Sequence, residues 1–299
     1  METEVGMGIA QRPTHEGKNG KPAKPVIELN RPIGGLPFVD FAYGDFRFES
    51  KRAVNEGNPD FDYISGLIAE EAKEGRMVAA SADELRGSWE RGEAAVGFSD
   101  GKTVAYARVE KMSHQNGREV EIDVLNSDKK IKTVWEVGSV IVAPDLQEKG
   151  LSSIVVAAAM TLKLDEVKRG EAVFTSITKV LKYRYALNSA SRMLGIDFEA
   201  VVHTDYPTIA DISCFCKPPF GEGLQLTPNC PARVSLSELR QYVETGEFPT
   251  NANRPKCVLF LSRTDIDRPS LGKSLPSSAD VFNSQPHVNG KNGASHVSI

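Results

Sequence analysis

Between Val137 and Met160 the chain reads VGSVIVAPDLQEKGLSSIVVAAAM, and here residue types and spacing could do chemistry. A buried strand is expected to end at Pro144 and a long helix to begin near Leu151. Between them lies a polar loop of Gln147, Glu148, Lys149, Gly150, Leu151 and Ser152. Backbone N–H groups in the first turn of a helix have no intrahelical acceptors and sit at the positive end of its dipole. A loop wrapping into that terminus suits a phosphate or pyrophosphate. Gly150 would let the backbone come close to the oxygens, and Lys149 would add a cation. An ordinary strand–loop–helix connection with a glycine-assisted turn fits the same residues equally well.

A second cluster lies further on. Cys214, Cys216 and Cys230 are spaced C-x-C-x13-C in an irregular segment, 206–232, with His203 before it and Cys257 after. Thiolates gathered this way could hold a structural Zn2+ that pins a loop lacking its own core. Reduced thiols packed as small hydrophobes fit too, and C-x-C departs from the preferred C-x2-C spacing. Four cysteines in 299 residues are too sparse for a disulfide scaffold.

Three other patterns fail on context. Gly101-Lys102-Thr103 lacks the leading glycine of a P-loop and precedes a strand instead of a helix. Gly150-Leu151-Ser152-Ser153-Ile154 lacks the second glycine of a nucleophile elbow. No G-x-G-x-x-G follows any candidate strand, so a dinucleotide site is not supported.

The elements that must position these residues can be read from periodicity. FVDFAYGDFRF (38–48) reads as one strand, and 60–75 as a helix with Ile64, Leu67, Ile68 and Ala72 at helical spacing. Ser81 with Glu84 is a capping box that starts a second helix, which Gly92 ends. Two strands flank Ser99-Asp100-Gly101-Lys102, where Asp-Gly favours a tight hairpin. Strands are expected at 119–125 and 133–144, a helix at 151–168, a strand at 172–177, a helix at 180–194 and a strand at 198–204. A helix at 235–245 and a strand at 256–262 close the domain. Strands that alternate with helices late in the chain argue for a mixed α/β sheet.

Residues 1–34 and 266–299 are rich in Gly, Pro, Lys and Asn and are expected to be extended or disordered tails. One domain over 35–265 remains, long enough for a substantial core. A formal charge of −4 gives no strong electrostatic reason to seek nucleic acid or an anionic membrane. The longest apolar run, Ile154 to Met160, is far short of the roughly 20 residues of a membrane span, and the first residues carry no apolar signal core. Secreted, membrane and collagen-like classes are therefore not expected, and a cytoplasmic location is.

The 147–152 loop resembles the acyl-CoA-binding motif of the GNAT-type N-acetyltransferase superfamily, Arg/Gln-x-x-Gly-x-Gly/Ala, here Gln147, Glu148, Lys149, Gly150, Leu151, Ser152. Val140, Val142 and Pro144 resemble the V-x-V-x-P of that family's central strand, and the order of elements is similar. Asn188, Ser191, Gly195 and Phe198 echo its second signature, and 81–109 resembles the front half of such domains, N-acetylglutamate synthases included. The similarity spans roughly 60–205. It departs in two places: Ser152 replaces a small Gly or Ala, and no Tyr stands just before the final Gly-Phe.

The resemblance implies a mixed central sheet with helices on both faces, to which this chain adds the irregular Cys-containing insertion, and acetyl transfer from acetyl-CoA to a primary amine. The cofactor would lie against Val140, Ile141, Val142, residues 147–152, Asn188 and Ser191, with a backbone N–H around Val140 to Val142 as oxyanion donor. Glu136 would take the amine proton. Tyr183, with Tyr185 nearby, is the available substitute for the missing Tyr acid. A small-molecule amine is favoured over a protein acceptor, with no nucleic-acid or membrane partner, and a homodimer is left open. A degenerate CoA-binding sensor or scaffold and a zinc-stapled interaction module are the competing classes.

Overall fold

The computed structural model describes residues 39–51, 57–74, 76–112, 122–123, 130–131, 133–147, 149–178, 183–201, 234–245 and 258–264. The two tails, the 206–232 insertion, His203 and all four cysteines lie outside the described residues, so the structure does not bear on the expectations made of them.

The first strand expected from sequence is two. β1 (Asp40–Tyr43) and β2 (Phe46–Glu49) pair antiparallel across Gly44-Asp45, and Gly44 has φ +57°. A two-residue turn needs such a left-handed position, and glycine takes it without steric cost. Helix α1 (Phe61–Lys73) starts where the Asp60 side chain accepts from the Tyr63 N–H, and it buries Phe61, Ile64 and Ile68. Helix α2 (Ala82–Glu90) carries the full Ser81–Glu84 capping box and buries Leu85 and Trp89.

Strands β3 (Ala94–Ser99) and β4 (Lys102–Lys111) form the expected hairpin, with positive φ at both Asp100 and Gly101. Short strands β5 (Ile122–Asp123) and β6 (Lys130–Ile131) pair apart from the main sheet. Then come β7 (Thr133–Val142), helix α3 (Leu151–Thr161) and helix α4 (Leu164–Lys168). Sequence periodicity reads 151–168 as one helix. The chain breaks it at Leu162-Lys163, where Thr161 turns its hydroxyl back to the Ala157 carbonyl and Lys163 leaves helical ψ. Strand β8 (Ala172–Thr178), helix α5 (Tyr183–Leu194), strand β9 (Asp197–Val201), helix α6 (Leu236–Thr245) and strand β10 (Val258–Arg263) complete the order.

The eight-stranded sheet runs β1-β2-β3-β4-β7-β8-β10-β9; β7 and β8 pair in parallel and every other neighbouring pair is antiparallel. Two cores flank it. One gathers Trp135, Val137, Phe174, Phe260, α3 and the inner side of α5. The other gathers Ile64, Ile68, Leu85, Trp89, Val96 and Tyr106 beneath α1 and α2. Helices therefore cover both faces of a mixed sheet, as expected. α3 is the interior helix, buried throughout from Ile154 to Thr161, so its three consecutive alanines let it lie close to the strands.

Candidate functional site

Two departures from regular sheet meet on β7. Gly138 pairs with Arg108 and Ile141 with Tyr106, so Ser139 and Val140 together oppose Ala107. That is a β-bulge, and Ser139 takes the left-handed φ of +48°. The extra residue inverts the strand's alternation. Trp135 and Val137 face the α3 core, but past the bulge Val142 does so, while Ile141 joins the α1/α2 core.

The second departure is a splay. β7 pairs with β8 from Thr133↔Ala172 to Glu136↔Thr175 and no further. Beyond that point β7 continues along β4 to Val142, while β8 continues along β10 to Thr178. Two parallel strands that part this way leave the β8-facing backbone edge of Val137 to Val142 without a strand partner among the described residues. Unpaired backbone donors and acceptors call for another partner. Val140, Ile141 and Val142, expected to line a cofactor, stand on this edge.

The wide end of the V leads to the polar loop. Pro144–Leu146 forms one 3-10 turn, Gln147 and Lys149 are exposed, and Gly150 is the N-cap of α3 with φ +77°. A Cβ at Gly150 would meet nothing within 4 Å, so the requirement for glycine is the backbone angle itself. Leu151 is buried and anchors the helix start, and Ser152 is half-buried beside it. No acidic residue sits in the first turn, which leaves the positive end of the helix uncompensated by its own side chains. Glu148 lies outside the described residues.

At the narrow end stand Glu136 and Tyr183. Glu136 projects away from the α3 core and is half-buried. Burial is the main cause that lifts its carboxyl to about 7; the facing Glu110 adds repulsion and Arg108 pulls the other way. Glu110 is itself engaged by Arg108 (2.9 Å) and by the Ser88 hydroxyl (3.1 Å). Tyr183 reaches from the first turn of α5 toward the open edge, where its hydroxyl donates to the Val137 carbonyl at 3.4 Å. The Ser176 hydroxyl of β8 lies near enough to act on the phenol's titration, so Tyr183 stands between the two walls of the V. Burial pushes the Tyr183 hydroxyl further above its usual range, so it stays a neutral donor. Tyr185 points outward instead, 40% exposed, its hydroxyl accepting from Arg184.

Asn188 is half-buried on α5, and Ser191 is fully buried with its hydroxyl donating to Ser262 at 2.9 Å. That bond ties α5 to β10 within the core. Sequence reasoning misses the splay, the bulge, the Arg108–Glu110 pair and Thr175. An isolated glycine inside an apolar strand, here Gly138, signals a bulge. The splay has no such local sign.

A separate cleft of about 1180 Å³ opens between the start of α1, α2 and the β3–β4 turn. Asp60, Arg86, Trp89, Lys102 and Asp145 line it, and neither Glu136 nor Tyr183 does. Among the described residues no helix is long and apolar enough to cross a membrane.

No protein-family model and no curated protein matches the chain. Solved structures similar to it include acetyltransferases, among them one GCN5-related and one of the GNAT family. N-acetylglutamate synthase from Neisseria gonorrhoeae, complexed with coenzyme A and N-acetyl-glutamate, is 12% identical with a TM-score of 0.37; the similarity covers 75% of this chain and 35% of the synthase. Diaminobutyrate acetyltransferase from Paenibacillus lautus, with its substrate and coenzyme A, is 14% identical with a TM-score of 0.38, covering 77% of this chain and 96% of that one. A GNAT-family acetyltransferase from Streptococcus agalactiae is 17% identical with a TM-score of 0.31, covering 51% of this chain and 86% of that one.

Proposed function

We propose that the chain is a GNAT-type acyl-CoA N-acyltransferase that moves an acetyl group from acetyl-CoA to a primary amine. One observation carries this reading. The β7–β8 splay opens a strand edge that has no strand partner among the described residues, with a glycine-started helix terminus at its wide end and a protonatable carboxyl at its narrow end.

The residues present fit such a donor. The first-turn N–H groups of α3, with Lys149 and Gln147 beside them, would hold its phosphates. The open edge of Val140 to Val142 offers backbone groups to an amide-bearing arm, as a neighbouring strand would. The donor supplies an activated acyl thioester. The remaining work falls to the chain. Glu136, with a carboxyl that titrates near neutrality, takes a proton from the attacking amine. A backbone N–H of the β7 edge that β8 leaves, around Val140 to Val142, would serve the acyl oxygen. Tyr183 stays protonated and stands between the two walls. A small amine is the acceptor class we favour over a protein.

Calorimetric titration of acetyl-CoA tests the reading, with Gly150→Asp as control. Wild type is expected to bind. The variant is expected to lose binding, because it sets a carboxylate and a strained backbone at the helix terminus. Absence of binding to wild type overturns the proposal. Binding without release of free CoA thiol in an amine screen would favour a sensor.

A further inference from the structure

Thr175 is 2% exposed, and its Oγ1 has no hydrogen-bond partner among the described residues. The buried hydroxyls of Thr161 and Ser191, by contrast, are satisfied by the Ala157 carbonyl and by Ser262. A buried hydroxyl without a partner keeps its full desolvation cost, and native proteins carry few of them. Valine would fill the same volume and suits a strand equally well, so folding alone does not explain a hydroxyl here.

Its place in the sheet is informative. Thr175 is the last β8 residue paired to β7, and its registered partner is Glu136. Partners in register project from the same face of adjacent strands, roughly 5 Å apart. Phe174 belongs to the opposite, α3-facing side, and Ser176, two residues on, shares that side. Thr175 and Glu136 thus stand side by side where the V closes. The open edge from Val137 to Val142 spans about 20 Å at the rise of a strand. A ligand whose phosphates sit at the α3 terminus, with its arm along that edge, ends at this apex.

We propose that the Thr175 hydroxyl is the β8-side contact for the thioester end of the acyl donor, an inference that rests on the acyl-CoA reading above. The hydroxyl is unsatisfied until the donor is bound and then makes its hydrogen bond to that end. Folded stability is given up so that the contact is ready-made.

Calorimetry on the full chain tests this with two probes, acetyl-CoA and adenosine 3′,5′-bisphosphate, the second lacking the arm and thioester. Thr175→Val is expected to bind acetyl-CoA about five- to tenfold more weakly than wild type, the effect of one hydrogen bond. Binding of the bisphosphate should not change, and Thr175→Ser should restore most of the acetyl-CoA affinity. Without ligand, Thr175→Val should melt at or above the wild-type temperature, because it removes no internal bond. Equal acetyl-CoA binding by wild type and Thr175→Val overturns the assignment while leaving the acyl-CoA reading intact. So does an equal loss for both probes, or a ligand-free melting point several degrees lower, either of which marks a structural role. Wild type that fails to bind acetyl-CoA removes the reading and the assignment together.

Discussion

Glu136 carries two consequences of opposite sense, both from the same displaced titration. As a base it must be ionised, so transfer should rise with pH through about 7 and then level off. Glu136→Gln should lower the rate by about 10²- to 10⁴-fold and abolish that limb, read from a pH profile of free-thiol release. For stability the sign reverses. A carboxyl whose folded value lies above its ordinary 4.5 favours the fold at low pH and loses that advantage as pH rises toward about 7, by roughly 3 kcal/mol if the whole displacement acts. Glu136→Gln should therefore match wild type in denaturant stability at pH 4 and exceed it at pH 8. Burial sets most of this displacement, and the two charges that adjust it, Glu110 and Arg108, sit on β4, so single variants there should move the limb in opposite directions.

The β7 strand shows what an element can hold beyond its residues. Ser139 sits in left-handed backbone that costs an ordinary residue about 1–2 kcal/mol. Ser139→Gly relieves that strain against a smaller entropic loss of roughly 0.4–1 kcal/mol, so stability in urea should stay level or rise by up to about 1 kcal/mol. Ser139→Val should fall by more than that, since a β-branched residue fits the angle worst. The polar loop and α3 are legible in the sequence because both rest on local signals, a glycine after polar residues and an unbroken apolar run. The capping box at Ser81 and the turn at Asp100-Gly101 are legible for the same reason. The split of β1 from β2 is not, because Phe and Tyr on both sides of Gly44-Asp45 hide the turn. The splay is out of reach, since it depends on β10 entering the sheet beside β8 from about 80 residues further along the chain. Spacing to Gly195 makes Tyr183 a poor match for the missing acid, yet it stands between the two walls, because what matters is its position at the start of α5.

At the scale of the molecule, the sheet is two half-sheets joined through four registered pairs between β7 and β8. Packing reinforces that narrow join. Trp135 is paired with Phe174, its Nε1–H donates to Glu166 at 3.0 Å, and Lys163 lies 4.4 Å over its ring. Phe174 is almost wholly buried at this seam, so Phe174→Ala should cost about 3–5 kcal/mol in thermal or denaturant unfolding.

The bulge also behaves like a shift of reading frame within β7. Trp135 and Val137 obey one phase of inward and outward positions, and Ile141 and Val142 obey the other. Deleting Ser139 would leave Val142 and Ile141 on their present faces of an evenly alternating strand, whereas straightening β7 with Ser139 kept would send Val142 to the face that Ile141 now fills. No single substitution could undo that exchange. A chimera that crosses over at this point should fold only if the incoming segment brings either its own bulge or one residue fewer.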